Sequence, residues 1–112
     1  MTEEEKHQQV AELLFAYEKT RQELEHLRTK AWNLGETIGD ISHWLREARE
    51  ADASAYERER EQERDENIQK NLSHYRAALD FDALLALRED LRRTNAKLRE
   101  LAQMKRNLGL GS

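Results

Sequence analysis

Counted from Val10 in alternating steps of three and four, the chain meets Val10, Leu13, Tyr17, Thr20, Leu24, Leu27, Ala31, Leu34, Ile38, Ile41, Leu45 and Ala48. Only Thr20 among these twelve is polar. An apolar period of 3.5 residues held over this span is the pattern of a coiled-coil seam. At 1.5 Å per residue the stretch makes a rod of roughly 60 Å. So long a helix cannot cover its own stripe and needs a partner of similar length.

Little in the sequence interrupts helix. Proline is absent, and the four glycines stand at 35, 39, 109 and 111. Charged residues make up 38% of the chain and apolar residues 38%. That is polar for a globule, but the regular apolar spacing separates it from low-complexity disorder. The expected fold is all-α, within a single helical domain over residues 1–112.

The first helix is expected over about 4–50. Residues 49–67 then lose the period, and no apolar residue stands between Glu57 and Asn67. Ser54 with Glu57 three residues on fits a capping box. A charged turn or tip is therefore expected over about 51–67, with the turn near 51–55 and a helix over about 55–79. The period resumes at Ile68, Leu72, Tyr75 and Leu79. It restarts out of phase at Leu84, Leu87, Leu91, Thr94, Leu98, Leu101, Lys105 and Leu108. A cap at Asp80 or Asp82 explains the phase change, giving a last helix over about 82–108 that stops at Leu108-Gly109.

Two arrangements fit. In one, helix 4–50 is unbroken and folds back on the remainder as an antiparallel hairpin. In the other, Gly35 and Gly39 break it, Thr37 caps a second helix, and three helices form a bundle. The unbroken register favours the hairpin, since a loop has no reason to preserve phase. Folding about residue 53.5 nevertheless sets Ile41 near Glu66 and Leu45 near Gln62, so those apolar residues call for a neighbour from another chain.

Chemistry is sparsely encoded. There is no cysteine, hence no disulfide and no thiolate metal site. His7, His26, His43 and His74 form no H-x-x-x-H pair. No nucleophile elbow and no glycine-rich phosphate loop is present. No catalytic residue, cofactor or metal is expected. The start, MTEEEKHQQV, lacks the apolar core of a signal peptide, and no apolar run is long enough to cross a bilayer, so a cytoplasmic location and no membrane partner are expected.

Net charge is −4. It is uneven, with 12 Lys/Arg against 19 Asp/Glu in residues 1–80, and 7 against 4 in residues 81–112. On the last helix Arg88, Arg92, Arg99 and Arg106 recur at spacings of four and seven, toward one side. Such a stripe suits phosphates, which makes nucleic-acid binding the alternative reading.

The segment AWNLGETIGDISHW holds both tryptophans and two of the four glycines. On a helix, Trp32, Gly35 and Gly39 cluster on one side of the seam, with His43 further round and Trp44 on the opposite flank. The apolar or small surface here is wider than one antiparallel neighbour covers. The G-x-x-x-G spacing admits close backbone approach, and tryptophan anchors cores and interfaces alike. Trp32, Gly35, Gly39, Ile41, His43, Trp44 and Leu45 are therefore the expected interaction residues. The reading is a non-catalytic adaptor, chaperone or inhibitor that forms a homodimer and binds a protein partner.

Overall fold

A computed structural model describes residues 2–50 and 54–110. The chain is all-α, with four helices in the order α1 (Glu3–Glu50), α2 (Ala55–Lys70), α3 (Leu72–Ala78) and α4 (Phe81–Asn107). No strand occurs among the described residues.

Each helix boundary has a local cause. At the start of α1, the Glu5 N–H donates to Thr2 Oγ1 at 3.2 Å and the Thr2 N–H to Glu5 Oε2 at 3.3 Å, a reciprocal capping box. Helix α2 opens as expected, the Glu57 N–H donating to Ser54 Oγ at 3.1 Å. The expected turn at 51–53 lies outside the described residues. Of the two candidate caps before the last helix, Asp80 acts, its Oδ1 accepting from the Ala83 N–H at 3.1 Å.

The end of α4 is a Schellman motif. The Leu110 N–H donates to Lys105 O at 2.9 Å and the Gly109 N–H to Arg106 O at 3.0 Å, with Gly109 at φ 70. That left-handed backbone is what glycine permits without penalty.

One sequence expectation changes. The helix expected over 55–79 is broken at Asn71, between α2 and α3. There the Asn71 side-chain amide donates to Asn67 O at 2.9 Å, so a side chain competes with the backbone for a helix carbonyl. Within the charged tip expected over about 51–67, the chain is helical from Ala55 onward, where the helix was expected to begin. The break considered at the glycines does not occur. Helix α1 continues through Gly35 and Gly39, and Thr37 Oγ1 donates back to Asn33 O at 3.0 Å as a mid-helix hydroxyl does.

The chain forms two compact units, residues 1–30 with 86–112 (unit 1) and residues 31–85 (unit 2). The boundary falls inside α1 and α4. In unit 1, residues 9–16 share a groove with 101–108, and residues 19–27 share one with 90–97, so the two helices run antiparallel. Leu13, Thr20, Leu24 and Leu87 are its buried seam residues, and all four belong to the heptad sets. The Lys105 ammonium lies 4.1 Å from the Tyr17 ring centroid, a cation–π contact that accommodates a lysine at a seam position. In unit 2 the buried residues are Ile41, Tyr75 and Ala78.

Candidate functional site

In unit 2, α2 meets α1 through charge. Arg64 Nε donates to Glu47 Oε2, and Arg64 Nη2 donates to Glu57 Oε1 at 2.8 Å. Arg60 Nη2 lies 3.6 Å from Glu47 Oε1, and His43 Nε2 2.9 Å from the same oxygen. Glu47 thus collects three basic side chains. The hydrogen bond from Arg64 to Glu57 is the main cause of the rise of the guanidinium pKa above its ordinary value, which holds the charge in place.

This contact decides which part of the seam is covered. Segment 57–67 offers no apolar residue, so it has none to pack on Leu45, and covering Leu45 would desolvate its own charged side chains. Helix α2 instead engages the side of α1 that carries Glu47 and Trp44, and Leu45 stays 55% exposed. Trp44 is half-buried and lines a pocket of about 220 Å³ with Arg64, Asp65 and Ile68. Its indole Nε1–H is buried without an acceptor among the described residues, which costs about 1–3 kcal/mol.

The seven expected interaction residues therefore separate. Ile41 is only 8% exposed, so its cover comes from this chain, contrary to the expectation that it calls for a neighbour from another chain. Tyr75 and Ala78, beyond the Asn71 break, are the other buried residues of unit 2. His43 is exposed and tied to Glu47. Trp32 is 70% exposed. A Cβ built on Gly35 or Gly39 meets nothing within 4 Å, so no segment among the described residues uses the close approach that glycine allows. Trp32, Gly35, Gly39 and Leu45 remain on the surface.

The four stripe arginines of α4 are all exposed but differ in their bonds. Arg92 is paired with Glu89, and Arg106 Nη2 donates to Gln103 Oε1 at 2.7 Å. Arg88 and Arg99 make no ion pair among the described residues. No group of three or more His, Asp or Glu placed to hold a metal occurs among the described residues. No helix among them is long and apolar enough to cross a membrane.

Comparison with known proteins gives no match. No family model, no curated protein and no solved structure matches the chain, so functional argument rests on the side chains themselves.

The Glu47–Arg60–Arg64 cluster was not singled out in the sequence, although it carried a signal. Folding about residue 53.5 sets Glu47 opposite Arg60, with Arg64 one turn beyond on the same face of α2. Within α2, Glu57–Glu61, Glu59–Glu63 and Arg60–Arg64 are like-charge neighbours at i,i+4, and the complementarity of the segment to Glu47 lies in the tertiary pairing.

Proposed function

We propose that this chain is a non-catalytic protein-interaction protein, an adaptor, chaperone or inhibitor, that associates with a second copy through the 31–48 face of unit 2. The observation that carries this reading is Trp32, 70% exposed beside the open backbone of Gly35 and Gly39. Scattered exposed leucines are ordinary on a protein surface, whereas a large exposed aromatic beside a shallow strip is what a partner's side chains cover. Unit 2 also exposes Leu45, Leu79, Phe81 and Leu85. A C₂ pairing would place the same patch of each copy against the other.

Light scattering after size-exclusion tests the reading. The expected result is a dimer that Trp32→Ala shifts toward monomer with its helical circular dichroism unchanged. A strict monomer at all concentrations overturns it.

Arg88 and Arg99, unpaired and exposed on α4, support a second reading in which this stripe contacts nucleic-acid phosphates. Binding to mixed-sequence DNA or RNA that weakens with salt and is lost in Arg88→Glu/Arg99→Glu supports it. No binding at low salt removes it.

A further inference from the structure

Unit 1 is a pair of antiparallel helices with one flank open. Along that flank run two consecutive grooves. The first, about 480 Å³, has an apolar floor of Leu13, Ala16, Leu101, Met104 and Leu108. The second, about 680 Å³, is lined by Lys19, His26, Leu27, Arg93, Thr94 and Lys97, among others. They join end to end, because Lys19 follows Ala16 by one helical turn and Lys97 precedes Leu101 by one turn. Residues 9–27 of α1 bound the combined groove, a length of roughly 27 Å at 1.5 Å per residue. A long trough between two packed helices is the seat that a third helix fills.

Charge says what kind of helix. In the second groove the Arg93 guanidinium is committed to Asp90 at 2.8 Å, and these two charges cancel. Lys19 and Lys97 then outnumber Glu23, the remaining charged lining residue, and neither lysine makes an ion pair among the described residues. Two unpaired ammonium groups bordering one trough repel each other, and a carboxylate seated between them relieves that repulsion. In the first groove Met104 is 51% exposed and Leu108 45%. Thioether and leucine surfaces of this kind seat apolar anchors.

We propose that this flank of unit 1 binds an amphipathic α-helix of a partner protein. Its apolar half sits on Leu13, Met104 and Leu108, and its acidic half lies between Lys19 and Lys97. A nucleic acid does not match the apolar half of the trough. The acidic helix of a second copy, α2, carries no apolar residue between Glu57 and Asn67 and so lacks the stripe the trough requires. The proposal rests on reading the chain as a protein-binding one, but uses a face distinct from that of Trp32.

The probe is a pair of labelled 18-residue peptides. Both carry leucines at helical spacing through the first half, and the second half is rich in Glu in one and in Lys in the other. Fluorescence anisotropy at moderate salt is expected to show saturable binding of the Glu peptide, at least tenfold tighter than the Lys peptide. Lys19→Glu/Lys97→Glu reverses that preference, Met104→Glu weakens binding at least tenfold, and Trp32→Ala leaves it unchanged. Circular dichroism confirms that each variant stays helical.

Absence of saturable binding, equal binding of the two peptides, or a preference that survives the charge reversal overturns the proposal. Lys19→Glu/Lys97→Glu that instead dissolves an oligomer in the absence of peptide assigns the trough to a second copy and overturns it as well. If Trp32→Ala abolishes dimer formation while peptide binding persists, both this inference and the proposed function stand. Loss of either result alone sinks only the corresponding one.

Discussion

The Arg64 guanidinium, carried by α2, reaches the Glu47 carboxylate of α1 through Nε and grips Glu57 of its own helix with Nη2. All three side chains are shielded from solvent more than most surface ion pairs, with relative exposures of 18%, 24% and 13% for Arg64, Glu47 and Glu57. This bond substitutes for apolar packing where α2 has none to give.

Breaking that link leaves a partly shielded charge without its partner. Glu47→Ala and Arg64→Ala are each expected to destabilise by about 1–3 kcal/mol. The coupling energy of a double-mutant cycle should fall in the upper part of the 0.5–3 kcal/mol range seen for contacting residues. Urea denaturation followed by circular dichroism measures it. A coupling near zero would reduce the cluster to an ordinary surface ion pair.

The two tryptophans are expected to part company. Trp32, exposed, should tolerate alanine with a stability change within about 0.5 kcal/mol, its effect falling on assembly. Trp44→Ala should cost about 2–3 kcal/mol, less than a fully buried tryptophan loses. Trp44→Phe should cost under about 1.5 kcal/mol, because losing ring area is offset by removing an unpartnered buried donor. Thermal denaturation beside light scattering separates the two behaviours. Equal destabilisation by both alanine variants would mean that Trp32 is packed in solution.

The heptad count made the long helix legible, and the unbroken phase across Gly35 and Gly39 favoured a continuous helix there. Seam positions of unit 1 were legible for the same reason, since Leu13, Leu24 and Leu87 pack where period 3.5 places them. Legibility ended where covering depends on the facing segment. Nothing in the period of α1 says that Leu45 stays bare while Trp44 and Glu47 are engaged, because that choice is made by Arg64. The Asn71 break was hidden for another reason: a side-chain amide bonding back four residues leaves no mark on hydrophobic periodicity. Among the candidate interaction residues, the period of α1 alone did not separate Ile41, buried within unit 2, from the exposed Trp32 and Leu45.

On the surface of unit 1, Arg21 donates to Glu18 through two nitrogens and Arg92 to Glu89 likewise. These hydrogen bonds are the chief cause of the lowering of both carboxyl pKa values below the ordinary glutamate value. A folded-state carboxyl pKa that lies lower than the unfolded one stabilises the fold above the unfolded value. The contribution is lost as pH falls through the lowered folded value. Carboxyl carbon NMR titration should place both midpoints below the ordinary glutamate range of about 4. Arg21→Gln should return Glu18 toward that range while leaving Glu89 unmoved. An unchanged Glu18 midpoint in Arg21→Gln would show that the pair does not persist in water.

Gly35 and Gly39 allow a test in which stability and assembly move in opposite directions. Both lie inside α1 with nothing within 4 Å of an added Cβ, so alanine meets no obstacle within the chain. Each Gly→Ala change should raise stability by roughly 0.5–1 kcal/mol through helix propensity. If a second copy lays its helix on this strip, two added methyl groups hold the backbones apart and weaken the dimer. The double variant Gly35→Ala/Gly39→Ala should therefore melt at higher temperature at low concentration, where the monomer prevails, and dimerise less by light scattering. Gly109→Ala provides the contrast. Its φ of 70 makes alanine strained, so stability should fall by about 1 kcal/mol with assembly unaffected. A double variant that melts higher and dimerises as well as the parent would show that the glycines do not form the contact.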